Sequence, residues 1–344
     1  MIRRIFLAAS ASVGALLVST AITWPMEARA ADPITWKLDW GLAEARTESK
    51  LVKEYVERIN KRTAGKFKID VAYGGSLGIN QADGLRALKS GGVEMSLLYA
   101  GYLFRDLPEL GFAYATAAAA TREQVRKAAP VMAEINAEGY ASWDVTTISN
   151  VMIPTFNWHL MCKSPVGDLK TLRTKKMRAN EKSFLDAMAL LKVQAQIVPQ
   201  AETYLALQTG VIDCTIYPVA IAKTISLQEV AKNASLVLLH SAMPIAIGVS
   251  NAKWASLDPA IRQVLTEEGQ WLWQRSLDDA LDPKILDGLD KATLDTTDIK
   301  LLPPFPAADR KQFNDAIITI WAEQAAKIGK RAPAWRERVL KAMQ

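Results

Sequence analysis

From residue 34 onward the chain alternates strand-like with helix-like segments, and this alternation restricts it to a layered α/β architecture. Residues 34–40 (ITWKLDW) alternate apolar and polar positions as a half-buried strand does. Within 44–62, Leu51, Val52, Tyr55, Val56 and Ile59 fall at helical spacing, and Thr63-Ala64-Gly65 stops that helix before a second strand at 67–73. The loop Gly74-Gly75-Ser76-Leu77-Gly78 leads to a helix over 82–89 and a third strand over 93–98. A β-α-β-α-β order predicts a parallel sheet with helices on its faces and binding groups at the carboxyl ends of the strands.

The second half repeats the style without repeating the sequence. Extended segments at 146–154 and 159–162 precede a short strand at 175–178, a helix at 183–191, a strand at 194–198, a helix at 203–209 and a strand at 211–216. Strands at 236–240 and 245–250 lead back, and two α/β lobes joined by extended crossings fit this order. Asp258 caps a helix with Pro259 in its first turn. The helical pattern continues to about residue 294, with Pro283 kinking or breaking it. Further helices are predicted over 307–328 and 333–343; the long helix either braces both lobes or packs on one. The expected division is lobe I over 31–152 plus 242–257, lobe II over 153–241, and bracing C-terminal helices over 258–344.

The N-terminus has a basic head (Met1-Ile2-Arg3-Arg4), an apolar run over 5–22 and a small-x-small site at Ala28-Arg29-Ala30, the layout of a secretory signal peptide cleaved after Ala30. A retained membrane anchor is the competing reading. Beyond residue 30 no uncharged apolar run approaches eighteen residues, which excludes an integral membrane body. Half of the residues are apolar and 23% charged, enough for a sizeable core. The formal charge of +6 drops to +4 once Arg3, Arg4, Arg29 and Glu27 are removed. The remaining Lys and Arg are scattered through mixed-charge helices, so nucleic acid is not an expected partner.

Two cysteines, Cys162 and Cys214, are too few for a disulfide scaffold. They form one bond if their strands are neighbours; the expectation taken is buried free thiols. There is no H-E-x-x-H, C-x-x-C, P-loop or G-x-G-x-x-G, and the chain has two histidines, so neither a metal nor a cofactor is expected.

Three segments carry possible chemistry. Gly74-Gly75-Ser76-Leu77-Gly78 is a literal G-x-S-x-G between a strand and a helix, which makes Ser76 a candidate hydrolase nucleophile with His159 or His240 as base. The motif comes too early in the chain to leave room for the usual oxyanion loop, and Gly and Ser are ordinary loop residues. Arg178 closes a short strand, where it either binds a carboxylate through two parallel hydrogen bonds or belongs to a solvated basic face with Arg173, Lys175 and Lys176. Gly210 caps a helix that leads into a strand ending at Tyr217-Pro218, and Tyr217 is either a ligand-facing ring or a core residue.

Taken together, Thr63-x-Gly65-Lys66, Gly75-Ser76-Leu77-Gly78, Ala87-Leu88-x-x-Gly91-Gly92-Val93-Glu94-Met95, Asp168-Leu169-Lys170, Lys176-Met177-Arg178 and Ala206-Leu207-Gln208-Thr209-Gly210-Val211-Ile212-Asp213 form an ordered array. This array resembles the extracytoplasmic solute receptors of tripartite ATP-independent periplasmic (TRAP) transporters, of the dicarboxylate-binding-protein (DctP) type. Asn251-x-x-Trp254-x-x-Leu257 matches the segment before that family's long helix. The resemblance implies a two-lobe periplasmic binding protein, monomeric and not an enzyme, that closes on an organic acid anion and passes it to the membrane subunits of a TRAP permease. It also implies that the carboxylate-clamping arginine is Arg178 and that a second ligand position is Tyr217. Trp40, Glu44, Tyr99, Phe156, Asn157 and Trp158 are further candidates where the lobe edges should meet. Trp40, Tyr99, Trp158 and Tyr217 would give an aromatic wall suited to a carboxylate with an apolar or ring-bearing body. After Asp213, Cys-Thr-Ile-Tyr stands where the family commonly has Gly-x-Glu-Asn. An exported serine hydrolase built on Ser76 is the formal competitor, and a receptor for an ATP-driven transporter or for chemotaxis is a third reading.

Overall fold

The computed structural model describes residues 32–113, 119, 121–154, 157–239 and 243–344. The segment read as a signal peptide, Phe156 and His240 lie outside these residues. No helix among the described residues is long and apolar enough to cross a membrane.

Eleven strands are described: β1 (Ile34–Trp40), β2 (Phe67–Tyr73), β3 (Met95–Leu98), β4 (Val145–Met152), β5 (Asn157–Cys162), β6 (Lys176–Ala179), β7 (Gln194–Ile197), β8 (Cys214–Tyr217), β9 (Asn233–Leu239), β10 (Pro244–Ser250) and β11 (Lys300–Leu301). They form a five-stranded sheet in the order β2-β1-β3-β10-β4 and a six-stranded sheet in the order β11-β9-β5-β8-β6-β7. The period-2 pattern of β1 puts Trp36, Leu38 and Trp40 on one buried face, where Trp36 meets Phe67 edge-on at 5.2 Å. Full burial of a side chain the size of Leu38 contributes about 1.5–3 kcal/mol.

The first sheet departs from the all-parallel expectation. β1 is parallel to β2 and β3, but β10 runs antiparallel to both β3 and β4. The chain leaves this sheet after β4 and re-enters it directly from β9 as β10, with no helical crossover of the kind a parallel neighbour needs. Direction still favours one edge: the amino end of β10 lies beside the carboxyl ends of β3 and β4.

A twenty-residue helix, Arg122–Ala141, went unread in the sequence. Thr121 caps it by accepting a hydrogen bond from the Gln124 amide, while Pro130 in its interior interrupts the helical signal. The long C-terminal pattern resolves into Pro259–Leu281 and Pro283–Leu294, divided at Asp282-Pro283. The first of these lies on β4: Ser149 donates to the Gly269 carbonyl at 2.7 Å, and the Met152 amide donates to Ser276 Oγ at 2.9 Å. A Cβ at Gly269 would overlap the Ile148 carbonyl, so only glycine permits this approach. The second reaches the segment after β8, where Thr293 donates to the Ala220 carbonyl at 3.0 Å. The broken helix therefore braces both sheets.

The cysteines correct the free-thiol expectation. β5 and β8 are antiparallel neighbours with Cys162 opposite Cys214, and a disulfide joins them across a Cα–Cα distance of 4.2 Å. Pairing depended on strand order, which local sequence does not carry. The bond spans 52 residues, for which chain entropy gives a stabilisation of about 4 kcal/mol. A Cys162→Ala/Cys214→Ala variant should therefore lose about 2–4 kcal/mol in denaturant unfolding; an unchanged midpoint would contradict this.

His159, opposite Tyr217 in the same strand pair, is 8% exposed. Burial lowers its pKa to about 4, against a smaller opposing effect from its Nδ1 hydrogen bond to the Asn157 carbonyl. The folded state thus holds it neutral while the unfolded chain protonates near 6.5, and its contribution is lost as pH falls from 6.5 through about 4. Relative to His159→Gln, the wild type should lose about 3 kcal/mol of unfolding free energy between pH 7 and pH 4. A pH-independent difference between the two proteins would show that His159 is not held neutral.

Candidate functional site

The carboxyl ends of β1, β3, β6 and β8 and the amino ends of β5 and β10 converge on a cavity of about 100 Å³. One water needs about 10–15 Å³ on this scale, so the space is metabolite-sized. Leu42, Leu97, Ile153, Trp158, Ile216 and Ile221 supply apolar walls; Arg46, Gln81, Tyr99, Tyr102, Arg178, Asn180, Gln200 and Tyr217 supply polar groups. A neighbouring outer cavity of about 250 Å³ shares Gln81 and Tyr102 and is bordered by Arg105 and Lys182.

Arg178 is fixed by strand geometry. In β6 it pairs between Gln196 and Thr215, while its neighbour Met177 turns into the core. Its Nε donates to the Val198 carbonyl at 2.7 Å, and one terminal nitrogen donates to Tyr102 Oη at 3.3 Å. The residue is 4% exposed, and among the described residues it forms no ion pair. A buried cation with only neutral partners is costly unless an anion joins it.

A second guanidinium, Arg46, stands just before the helix Thr47–Arg62. It is 3% exposed and is matched by Glu48, which accepts from both Nε and a terminal nitrogen. Burial lowers the Arg46 pKa, but the Glu48 charge and the Tyr217 hydroxyl outweigh it and the net shift is upward. Its other terminal nitrogen reaches Tyr217 Oη at 3.4 Å. Burial raises the Tyr217 pKa despite the opposing charges of Arg46 and Arg178 on either side. Across the cleft, Tyr99 donates to Glu181 at 3.0 Å and accepts from Asn180 at 3.2 Å. Burial pushes the Glu181 carboxyl upward, more than the Ser183 and Tyr99 hydroxyls pull it down. The cavity therefore holds a compensated pair at Arg46 and Glu48, and an uncompensated charge at Arg178.

Of the residues singled out from sequence, Arg178, Tyr217, Tyr99 and Trp158 line this cavity together. Trp40 does not: it is fully buried on the core face of β1, its indole N–H donating to Ser49 at 2.8 Å. Glu44 is exposed before the first helix. The Asn157 side chain bonds Asp290 of the bracing helix, and Phe156 lies outside the described residues. Ser76 is exposed in the turn after the edge strand β2, whereas His159 belongs to the second sheet. Among the described residues no cluster of three or more His, Cys, Asp or Glu could hold a metal.

Sequence reading missed Arg46, Gln81 and Tyr102. Arg46 carried a signal: it stands at the cap position of a helix, where the dipole disfavours a cation, so something other than helix stability keeps it there.

Residues 41–328 match the family model for DctP, bacterial extracellular solute-binding protein, family 7. The 2,3-diketo-L-gulonate-binding periplasmic protein YiaO of Escherichia coli is 26% identical over 304 residues, 81% of this chain and 84% of that protein. The C4-dicarboxylate-binding periplasmic protein DctP of Rhodobacter capsulatus is 28% identical over 264 residues, 73% of this chain and 75% of that protein. The fold is similar to a crystal structure of a TRAP solute-binding protein from an unidentified microbe of a marine metagenome, specific for pyroglutamate. The two superpose with a TM-score of 0.79 at 16% identity, covering 91% of this chain and 99% of the other. With a family match over most of its length and two lobes meeting at an arginine-lined cavity, the chain belongs to the DctP family, family 7 of the bacterial extracellular solute-binding proteins.

Proposed function

We propose that this protein is a non-enzymatic periplasmic receptor that captures an organic acid anion between its lobes and delivers it to the membrane subunits of a TRAP transporter. The observation that carries the reading is Arg178, a buried guanidinium with no counter-charge among the described residues, beside a metabolite-sized cavity. A carboxylate there forms two parallel charge-assisted bonds, while Tyr217 and Tyr102 supply phenolic groups to the same space. The similar proteins bind diketogulonate, a C4-dicarboxylate and pyroglutamate, three ligands that share a carboxylate and little else. The largely apolar wall favours a body with apolar or ring character over a polyhydroxylated chain.

Capture follows from physical chemistry. In an open cleft the guanidinium is hydrated; closure removes that water, strengthens its attraction to the carboxylate, and lets Tyr99, Asn180 and Glu181 bond across the gap. A hydrolase centred on Ser76 has less support, since Ser76 is exposed and His159 is a weak base in the other sheet.

A thermal-shift screen of organic acids should find an anion that stabilises the wild type, by about 2.7 kcal/mol at 100 times its dissociation constant. Arg178→Ala should bind that anion about 3–5 kcal/mol more weakly by calorimetry, the usual cost of breaking a buried ion pair. Equal affinity in the two proteins would remove Arg178 from the site, and ester hydrolysis abolished by Ser76→Ala would favour the enzyme.

A further inference from the structure

Of the cations in 168–178, Arg178 lines the cavity, whereas Lys170, Arg173, Lys175 and Lys176 do not. The register of the second sheet gathers these four with cations from distant parts of the chain. Along one edge β5 ends and β6, β7, β8, β9 and β11 begin: Cys162 pairs with Cys214 and Asn233, Met177 with Cys214, Lys176 with Gln194, and Lys300 with Asn233. Lys163 follows β5, Lys176 opens β6, Lys192 precedes β7, Lys232 precedes β9 and Lys300 opens β11; Lys170, Arg173 and Lys175 stand in the connection before β6. Six strand ends spaced about 4.8 Å apart make a row about 24 Å long. The segments that form this edge, 163–176, 191–193, 209–213, 231–233 and 298–300, hold eight basic residues and three acidic ones. Two of the acids are occupied by backbone: Asp168 accepts from the Thr171 amide at 2.6 Å and Asp213 from the Lys176 amide at 2.9 Å. The third, Asp298, lies 3.6 Å from Lys232, the one ion pair of the row among the described residues. Leu190, Val211 and Leu301, each at least half exposed, are interspersed with the cations: Arg173 donates to the Leu191 carbonyl, Lys176 donates to the Gly210 carbonyl, and Lys300 precedes Leu301. The ligand cavity lies at the opposite ends of β5, β6 and β8.

We propose that this edge is a docking surface for an anionic phospholipid bilayer, a function separate from solute capture and independent of the role of Arg178. Seven of the eight cations are lysines, flexible point charges rather than the planar fork of arginine. They suit mobile headgroup phosphates spread over a plane, which demand no fixed geometry, and an anionic membrane surface attracts each of them. The apolar side chains among them can enter the boundary between headgroups and acyl chains. These segments contain no Phe, Tyr, Trp or His, so they lack the stacking platform that single-stranded nucleic acid needs. Attraction between surface charges fades within a Debye length, about 8 Å at physiological salt, which makes the contact reversible. Because the cavity is at the other end of the strands, a receptor lying on a membrane by this edge keeps its cleft open to solute.

Co-sedimentation of the full protein with vesicles tests this, comparing equal parts phosphatidylglycerol and phosphatidylcholine with phosphatidylcholine alone. The wild type should bind the anionic vesicles about tenfold or more better than the neutral ones, and raised salt should release it. Lys163→Gln/Lys170→Gln/Lys192→Gln should lose about tenfold in binding to the anionic vesicles. Lys53→Gln/Lys61→Gln/Lys68→Gln removes the same charge from exposed positions on the helix Thr47–Arg62 and on β2, and should bind as the wild type does. Thermal unfolding checks that both variants fold. Arg178→Ala should also bind the vesicles as the wild type does, so failure of lipid docking leaves the carboxylate clamp standing, and failure of the clamp leaves lipid docking standing. Equal binding to the two kinds of vesicle, equal losses in the two triple variants, or loss of vesicle binding in Arg178→Ala would overturn the proposal. A wild type that ignores the vesicles but binds a DNA duplex through Lys163, Lys170 and Lys192 would also overturn it and assign the edge to nucleic acid.

Discussion

A guanidinium buried without a carboxylate is the interaction on which the rest of this structure depends. Arg178 reaches the interior because β6 is a central strand of the second sheet, and its hydrogen-bond partners there are a carbonyl and a phenol. Neither cancels its charge. In a protein whose other cavity arginine is neutralised two residues away by Glu48, this imbalance is specific to one position. A carboxylate placed beside Arg178 would supply the charge that neither partner offers.

The architecture serves that imbalance by bringing strand ends together. Both sheets turn the same kind of edge toward the cavity, although both mix parallel and antiparallel strands, because the two passages between sheets deliver β5 and β10 with their amino ends beside the carboxyl ends of their neighbours. The broken helix on the outside ties β4 to the segment after β8, so the two sheets share a common brace. The polar lining of the cavity divides along the same line. The second sheet supplies Arg178 and Tyr217, whereas the first supplies Arg46, Gln81, Tyr99 and Tyr102. A ligand held by both sets links the lobes and adds to the bonds Tyr99 already makes across the cleft.

What the sequence made legible was local. The period-2 pattern of β1, the stop at Thr63-Ala64-Gly65, the Asp258-Pro259 cap and the break at Pro283 each rest on sterics within a few residues, and each appears in the fold. The same pattern held information that was not used: Trp40 lies in phase with Trp36 and Leu38, which already assigned it to the core face. The disulfide and the antiparallel β10 depend on which strands become neighbours, a property of the whole chain. Arg46 went unread because the helix was expected over 44–62, which put the true cap position, where a cation is disfavoured, inside the helix. Arg178 itself was ambiguous by periodicity, because its burial and the identity of its partners are properties of the folded chain.

The central claim is that an organic carboxylate supplies the charge Arg178 lacks, and a crystal structure of the protein with a stabilising organic acid tests it most directly. The acid's carboxylate is expected between the two sheets, with both oxygens about 2.7–2.9 Å from the Arg178 guanidinium nitrogens. A structure in which the bound acid directs its carboxylate elsewhere, with Arg178 paired to a carboxylate of the protein, would contradict it.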